Sequence, residues 1–497
     1  MDNVSELAVM EETAVDELGV RPGDLAVLGD FSGIPGYVLG LEPVTGALDR
    51  IRARSFKVNA YAWLIARRIQ QDLVPGMRAV NAAGGRFLLA GPARPTAEPI
   101  LISFQRNLDE WTFRQLRGEL QVHLAVARCE GESLPIAALE SKLAARRLRP
   151  LEGALLQGAY WNATAFWNAA TASGLDRCES CGSTETVHSG ICFSCLEDQE
   201  LGQGLSQVRF ARAVAENVGR VSIPGLGMAL GETGDLDLTQ GEWPLFRYSP
   251  APSLEALAEL SPGRRKLLGC LVLDADQSGR ALSNRNGDSG VLSRRLHEFF
   301  SIHLQRLIEA RFPDLYPIHG GGDDLLVIGR WDQALDLAVE LRKEAATALG
   351  TTVSGALGLA HPCARLDVAA NDAWRATKLA KAGSGDRFSL FGSVMTWDEA
   401  GKLAEQTQWV ARWLRDGRLP GDVLRRVAEL RRLNAAGQDG WRLRSLALLA
   451  GQARKVASAE VRDWIHRLGG SAEWLRMELL AEMALLAAGE RADTWKD

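Results

Sequence analysis

The chain has 497 residues, of which 46% are hydrophobic and 24% are charged, and its formal net charge at pH 7 is −5. This composition excludes collagen-like, disordered and disulfide-rich proteins, and it predicts a globular protein of roughly three or four domains. No apolar run reaches the roughly 18 residues of a membrane-spanning helix, and the acidic N-terminus does not resemble a secretion signal. We therefore expect a cytoplasmic protein that contacts no membrane.

Two stretches of the chain share one pattern, which indicates a duplicated domain. The first begins with an apolar strand ending at Asp30, and the second begins with an apolar strand ending at Asp274 and Asp276. In each copy, a helical stretch follows, and then two strands separated by glycines. A helix, a strand and another helix complete the copy. The order βαββαβ predicts two ferredoxin-like sheets, each with two helices on one face.

Between the copies, four of the seven cysteines form two CxxC pairs separated by ten residues: Cys178, Cys181, Cys192 and Cys195. Four thiolates at this spacing can close a tetrahedral Zn²⁺ site with no open position, which is typical of a structural zinc ribbon. Disulfides are the alternative, but a chain without a secretion signal is expected in a reducing compartment. We expect the three scattered cysteines, Cys129, Cys270 and Cys363, to be buried in apolar surroundings.

The second copy contains Gly321-Gly322-Asp323-Asp324 between two apolar strands. Glycines at a hairpin tip allow positive φ and the close approach of a bulky ligand. Because the first and third strands of the predicted sheet are adjacent, this tip should lie beside Asp274 and Asp276. Carboxylates gathered in this way suit Mg²⁺ or Mn²⁺, which bind carboxylates and substrate phosphates.

Two such ions would suit an in-line displacement in which a 3′-hydroxyl is activated and pyrophosphate leaves. A surface turn with solvated acids is the simpler interpretation of an isolated Gly-Gly-Asp-Asp segment. The second acidic strand end argues against that interpretation, because it supplies further carboxylates at the spacing of a polymerase palm domain.

These motifs together resemble the large polymerase subunit of type III CRISPR effector complexes, in particular the Csm type, over nearly the whole chain. In the second copy the resemblance rests on the Gly-Gly-Asp-Asp hairpin and on segments 274–280, 293–294, 354–360 and 380–392. In the first copy it rests on segments 29–34, 46–56 and 82–92. The joint occurrence of these motifs is specific to that family.

The resemblance implies an enzyme that converts ATP into cyclic oligoadenylate when its complex binds target RNA. The catalytic metal ions would be held by Asp274, Asp323 and Asp324. The nucleotide would be contacted in the second copy by Gly321, Gly322, Asp276, Ser278, Lys381 and Arg387. Lys381 and Arg387 would meet the triphosphate, and two solvated loop cations are the alternative interpretation.

The first copy is degenerate, because Gly84-Gly85-Arg86-Phe87 stands where the second has Gly-Gly-Asp-Asp. It provides no carboxylate for a metal ion, but Gly84 and Gly85 leave room for a nucleotide. By resemblance, this copy is the acceptor-side ATP pocket and faces the second copy. Asp30 is either a nucleotide contact or a strand-end cap.

The fold class is therefore α+β and multidomain: two ferredoxin-like palm domains, a zinc ribbon between them and a C-terminal α-helical domain. The predicted boundaries are 1–165 for the degenerate palm domain, 170–255 for the zinc ribbon and linker, 256–395 for the second palm domain and 396–497 for the helical domain. The predicted cofactors are two Mg²⁺ or Mn²⁺ ions and a structural Zn²⁺ ion, with ATP as substrate.

The partners implied by the resemblance are the other type III effector subunits, namely the backbone, small helical and crRNA-handle-binding subunits, together with crRNA and target RNA. The seven histidines include no His-Asp dipeptide, so we expect no HD nuclease activity. A non-catalytic scaffold of the crRNA complex is the alternative function. A diguanylate cyclase is disfavoured, because Leu325 follows Asp324 where those enzymes continue with Glu-Phe.

Overall fold

The first sheet of the fold has four strands. The computed structural model of the chain describes residues 20–83, 85–92, 94–153, 177–183, 187–205, 207–208, 210–231, 243–244, 251, 253–276, 295–296, 298–321, 323–435, 441–468 and 476–489. The elements of this unit are β1 (Leu25–Ser32), α1 (Ile34–Leu39), α2 (Ala47–Arg68), β2 (Arg78–Ala83), β3 (Arg86–Gly91), α3 (Ala97–Leu116), β4 (Gln121–Arg128) and α4 (Ile136–Arg147). The strand order is β2-β3-β1-β4 with antiparallel pairing. This order is that of the predicted βαββαβ fold.

Two small sheets follow in the chain. Their elements and the adjoining helices are β5 (Val187–His188), β6 (Ile191–Cys192), α5 (Phe193–Gly204), β7 (Phe210–Val214), β8 (Val221–Ile223), β9 (Leu226–Gly231), β10 (Trp243–Pro244) and α6 (Leu254–Glu259). Strands β5 and β6 form a hairpin, and the other four strands have the order β10-β7-β9-β8. The predicted cysteine pairs lie around the β5–β6 hairpin.

The second large sheet has six strands. Its elements are β11 (Leu268–Ala275), α7 (Leu304–Arg311), β12 (Leu315–Gly321), β13 (Asp324–Arg330), α8 (Trp331–Leu349), β14 (Val353–Ala360), α9 (Leu366–Lys381), β15 (Arg387–Leu390) and β16 (Ser393–Thr396). The strand order is β12-β13-β11-β14-β15-β16. Its first four strands repeat the order of the first sheet, and β15 extends the sheet parallel to β14.

A β-bulge occurs at the same place in both units. The register of β2 against β3 shifts between Ala79 and Asn81, and the register of β12 against β13 shifts between Pro317 and His319. A bulge is a specific local feature of a strand rather than a general property of sheets. Its occurrence in both hairpins supports the predicted duplication.

Strand β11 is buried on both faces, which joins the units of the fold. Cys270 and Val272 pack in one core with α2 of the first unit. Leu271 and Leu273, which point to the opposite face because strands alternate, pack with the C-terminal helices. Those helices are α10 (Trp397–Arg415), α11 (Gly421–Ala435), α12 (Trp441–Ala453), α13 (Ala459–Leu468) and α14 (Met477–Ala488). The predicted domain boundaries remain predictions.

The first sheet is also covered on both faces, whereas two helices on one face were predicted. Leu139 and Leu143 of α4 pack against Ala26 and Leu28 of β1. Helix α4 is the second helix after the hairpin, which the sequence pattern predicted, but it packs on the opposite face of the sheet from α2 and α3. Its position brings two charged side chains to the end of β1, as described below.

Two of the three scattered cysteines are buried as predicted, but Cys363 is exposed. It lies in the turn between β14 and α9, where its backbone N–H donates to Nδ1 of His361 at 3.2 Å. The apolar residues that precede it belong to β14, which ends at Ala360. Among the described helices, none is both long enough and apolar enough to cross a membrane.

Candidate active site and metal centre

The second unit brings Asp274, Asp323 and Asp324 to one edge of its sheet. Asp274 on β11 lies directly opposite Asp324 on β13. The backbone N–H of Ala275 donates to the carbonyl of Asp323 at 2.7 Å. Gly321 pairs with Asp324 as the last pair of this hairpin. The first and third strands of the sheet are therefore adjacent at these carboxylates, as the topology predicted.

Asp274 is the most perturbed of these carboxyl groups. Burial, together with the charges of Asp323 and Asp324, raises its pKa from the ordinary value to about 7, against the opposing effect of Lys381. The Lys381 ammonium donates to Oδ1 of Asp274 at 2.5 Å and to the carbonyl of Ala275 at 2.9 Å. A buried acid beside like charges favours the binding of a cation.

Hard oxygen donors of this kind fit Mg²⁺ or Mn²⁺. Within the part of the chain that the structure describes, however, only the four cysteines already lie close enough together to hold a metal ion. A metal ion at the aspartates therefore requires that their side chains turn and that Lys381 leave Asp274. Phosphate oxygens of a nucleotide would supply further ligands.

The carboxylate of Asp276 is buried and already satisfied by other groups. It accepts hydrogen bonds from the hydroxyls of Thr352 and Ser354, both at 2.7 Å, and from the backbone N–H of Asp386 at 2.8 Å. Gly385 has a φ of +72°, and a Cβ there would lie 2.6 Å from Cγ of Asp276. Asp276 thus holds the loop after α9 against the end of β11, and its contact with a nucleotide remains a prediction.

The other predicted nucleotide contacts in the second unit differ in position. The backbone N–H of Arg387, a residue with an exposed side chain, donates to Oγ of Ser354 at 3.4 Å. Arg387 therefore begins β15 beside the loop that Asp276 holds. Ser278, Gly322 and, in the first unit, Gly84 lie outside the described residues.

The first unit places Arg86 where the second has Asp324. Asp30 lies opposite Arg86, and the backbone N–H of Phe31 donates to the carbonyl of Gly85 at 3.0 Å, as Ala275 does to Asp323. The last pair is Ala83 with Arg86 in the first hairpin and Gly321 with Asp324 in the second. The equivalence of Gly84–Phe87 with Gly321–Asp324 is therefore wrong by one residue, because Gly85 corresponds to Asp323.

Charged side chains from α4 complete this end of the first sheet. The Arg147 guanidinium donates to Oδ2 of Asp30 at 2.5 Å, and the Arg86 guanidinium pairs with Glu140 and lies 4.0 Å from Asp30. Burial raises the pKa of Asp30, against the opposing effects of both arginines. A guanidinium thus takes the place of a metal ion beside this acid.

The two hairpins lie within electrostatic reach of each other. Burial alone would lower the pKa of Arg86, but the negative charges of Glu140, Asp30 and Asp323 raise it. Asp323 belongs to the second unit, so its carboxylate lies within electrostatic reach of the first hairpin. The predicted facing arrangement of the two copies is in agreement with this interaction.

The four cysteines form a second candidate site. Their sulfur atoms lie within 4.8 Å of one another, and none of them forms a disulfide. The Arg117 guanidinium donates to Sγ of Cys181 at 3.5 Å and to Sγ of Cys192 at 3.6 Å. Soft thiolate donors in this number fit a tetrahedral Zn²⁺ ion, and the arginine offsets the negative charge of such a site.

Buried basic residues on α2 tie this cluster to the first unit, and the sequence analysis missed them. The Arg50 guanidinium donates to the carbonyl of Cys195 at 3.2 Å. The Arg54 guanidinium donates to Asp198 at 2.8 Å and to Sγ of Cys195 at 3.7 Å. Charged residues are seldom buried unless they are paired, and no sequence signal distinguished these arginines from the half-buried charged residues of the same helix.

Two family models match the chain. One describes the second palm domain of Cas10/Cmr2 and matches residues 267–389. The other describes domain B of the Csm1 subunit and matches residues 25–149. The two matches contain both candidate hairpins, and they confirm the resemblance to the Csm-type large subunit.

Curated relatives carry the name CRISPR system single-strand-specific deoxyribonuclease Cas10/Csm1 of subtype III-A. The protein from Thermococcus onnurineus is 24% identical over 68% of this chain and 51% of its own length. The protein from Enterococcus italicus is 23% identical over 76% of this chain and 55% of its own length. The chain therefore spans about half the length of these relatives.

Solved structures of the Csm1–Csm4 cassette share the fold. The apo cassette superposes with a TM-score of 0.69 at 18% identity, covering 94% of this chain and 70% of the other. The cassette in complex with cA4 superposes with a TM-score of 0.67 at 20% identity and the same coverage. Another similar structure holds one ATP, at a TM-score of 0.67 and 18% identity.

Proposed function

The chain is a homologue of Cas10/Csm1 with a matching second palm domain and domain B, and from this premise we propose that it makes cyclic oligoadenylate from ATP. It would do so in the cytoplasm, as the large subunit of a type III CRISPR RNA-guided antiviral complex that has bound target RNA. The observation that carries the proposal is the placement of Asp274 opposite Asp324 and beside Asp323 on adjacent strands.

In the proposed reaction, the carboxylates of Asp274, Asp323 and Asp324 hold two Mg²⁺ or Mn²⁺ ions. When bound, such ions activate an attacking 3′-hydroxyl and stabilise the leaving pyrophosphate. The burial of Asp274 excludes water and strengthens the attraction of its carboxylate for a cation. Since these side chains must turn to gather around a metal ion, we expect metal and nucleotide to bind together.

Lys381 and Arg387 would bind the triphosphate of the donor ATP. The Lys381 ammonium is within reach, since it lies at the end of α9 against Asp274. Its present pairing neutralises the acid, and a metal ion on Asp274 would free the ammonium for a phosphate oxygen. Asp276 would hold the loop between these two cations, and Gly321, Gly322 and Ser278 would give the nucleotide room at the hairpin.

The first unit would bind the acceptor ATP beside Gly84 and Gly85. Its hairpin lies within electrostatic reach of the second one, which supports an arrangement in which the two copies face each other and a 3′-hydroxyl meets a donor phosphate. Similar structures of the Csm1–Csm4 cassette hold cA4 or ATP. That the same compounds serve this chain is part of the proposal.

The four cysteines would hold a structural Zn²⁺ ion with no catalytic position, because four protein thiolates leave no ligand site open. By homology with the type III-A assembly, the partners would be the backbone, small helical and crRNA-handle-binding subunits, crRNA and target RNA. The relatives are named deoxyribonucleases, but the matched domains are the palm and domain B. The absence of HD nuclease activity remains a prediction.

The test is incubation of the purified complex with cognate target RNA, Mg²⁺ and either ATP or GTP, followed by mass spectrometry of the nucleotides. Cyclic oligoadenylate formed only with target RNA is the expected product. A complex that assembles on crRNA but turns over neither nucleotide would be a non-catalytic scaffold. A cyclic dinucleotide made from GTP would instead assign the diguanylate cyclase activity.

A further inference from the structure

The strand that leads into the second hairpin has an irregular point just before the glycines. In β12, Pro317 pairs with Val327 and His319 with Leu326, so Ile318 has no residue opposite in β13. A bulge leaves one residue outside the regular ladder. Ile318 is nevertheless buried, and a buried carbonyl needs a hydrogen-bond donor.

The donor comes from the other unit. The hydroxyl of Ser55, on α2, donates to the carbonyl of Ile318 at 2.5 Å, and this contact is buried. A serine inside a helix commonly bonds to a carbonyl of its own helix. The hydroxyl of Ser55 instead donates to a strand residue that lies 263 positions further along the chain.

A neighbouring side chain on α2 makes a second contact with the same strand. The guanidinium of Arg52 lies 5.9 Å from the ring centre of Tyr316, and Arg52 is itself fixed by Asp49 and by the carbonyl of Ala251. Helix α2 is held on its other side through Arg54 and Asp198. Ser55, which donates to the carbonyl at the bulge, therefore lies on a helix that is held on two sides.

We infer that Ser55 is a positioning residue for the hairpin that carries Asp323 and Asp324. The inference rests on the proposed function of that hairpin. The bulge lies three residues before Gly321, and a shift of β12 against β13 would move the turn relative to Asp274. By fixing the bulge carbonyl, the first unit sets the geometry of the metal-binding carboxylates in the second.

The experiment compares Ser55→Ala, which lacks the donor, with Ser55→Thr, which keeps it. Ser55→Cys, with only a weak S–H donor, serves if the alanine variant does not fold. The control is Ser261→Ala. The hydroxyl of the buried Ser261 donates to the carbonyl of Leu267 at 2.6 Å, so this substitution removes a comparable hydrogen bond away from the hairpin. Readouts are hydrogen exchange of segment 319–325 in the complex, and kcat and KM for ATP.

We expect Ser55→Ala to lower kcat by about tenfold to a hundredfold, as small misplacements of reacting groups do, with KM for ATP nearly unchanged. Exchange at segment 319–325 should accelerate, and Ser55→Thr should restore both values. The inference is overturned if Ser55→Ala shows the same hydrogen exchange at segment 319–325 and the same kcat as Ser261→Ala. If the wild-type complex makes no cyclic product, the proposed function fails, while the exchange comparison still tests the role of Ser55.

Discussion

The ammonium of Lys381 lies 2.5 Å from Oδ1 of Asp274, so the cation that ends α9 neutralises the first of the predicted metal ligands. The pairing reduces the repulsion among the carboxylates that meet at this sheet edge. Under the proposed function, metal binding and phosphate binding would be linked, because an ion on Asp274 would compete with Lys381 for the carboxylate and leave the ammonium available to a triphosphate.

Replacement of Lys381 by Met should therefore weaken the binding of ATP. We expect KM for ATP to rise by about tenfold, since one charge-assisted contact to phosphate contributes roughly 1.5–3 kcal/mol, while Lys381→Arg should lose less. Steady-state kinetics of the RNA-activated complex measure the effect. Lys378→Met is the matched control, because Lys378 is an exposed residue on the same helix. An unchanged KM in Lys381→Met would contradict the assigned role.

Replacement of both Asp323 and Asp324 by Ala should abolish ATP turnover and leave assembly intact. The reason is that the hairpin would keep its strand pairing but lose the oxygen atoms that hold metal ions. Product formation is followed by mass spectrometry, and assembly by size-exclusion chromatography with crRNA. Asp372→Asn, at a side chain that is 64% exposed and paired with Arg375, is the control. Cyclic product from the double variant would refute the site.

The raised pKa of Asp274 predicts an effect of pH on stability in the metal-free protein. The pKa of the partly buried Asp274 carboxyl is about 7 in the folded protein and about 4 in the unfolded chain. Below about pH 4 the carboxyl is protonated in both states, so it does not lower the free energy of unfolding. The lowering grows between these two pKa values and is complete above pH 7, because ionisation is then easier in the unfolded chain.

Asp274→Asn should therefore stabilise the protein in chelator by roughly 1–4 kcal/mol at pH 8, as each unit of pKa shift corresponds to about 1.4 kcal/mol. The gain should disappear at pH 4. Denaturant unfolding at both pH values measures it, with Asp372→Asn as the control. A gain that is equal at both pH values would show that the ionisation of Asp274 is not its cause.

Loss of the metal ion at the cysteines should weaken the first unit as well as the cluster. We expect Cys192→Ser to reduce bound zinc to background, determined by mass spectrometry of the metal, and to lower Tm by about 10 °C or more. The buried Arg54 and Arg50 would then face a cluster that no longer holds its shape. Cys129→Ser, at a buried thiol outside the cluster, should keep full zinc content. Equal zinc content in Cys192→Ser would contradict the assignment.

Arg86→Ala should destabilise the first unit, because it leaves Glu140 without its partner and reduces the neutralisation of the buried Asp30. The expected loss is roughly 1–2 kcal/mol, since Arg147 still pairs with Asp30. Denaturant unfolding measures the loss, and Arg86→Lys should recover part of it. Arg128→Ala, which removes an exposed pair with Glu98, should cost less than 1 kcal/mol or so. Equal losses would show that Arg86 acts as an ordinary surface residue.

The repeated strand–helix–hairpin pattern was enough to predict the strand order of both sheets and the meeting of Asp274 with Asp324. This works because alternating apolar residues and paired glycines are local signals. Sequence matching could not detect that Gly85 corresponds to Asp323, because a run of glycines precedes Arg86 in one copy and Asp323 in the other. Only the strand register fixes which residues correspond.

The partners of buried charges could not be predicted in the same way. Arg54 meets Asp198 across 144 residues of chain, and Ser55 meets Ile318 across 263. Such contacts depend on how the units pack, and neither periodicity nor composition encodes them. The clearest example is helix α2, whose sequence pattern is amphipathic but whose Arg50, Arg52 and Arg54 are all buried.

The matching bulges in β2 and β12 have a consequence for the two hairpins. Each bulge lies three residues before the last paired residue of its strand, so the two strands approach their turns with the same backbone geometry. The difference between the units at this edge therefore lies in the side chains, with Arg86 opposite Asp30 in one and Asp324 opposite Asp274 in the other. The two edges are alike in backbone geometry and unlike in charge.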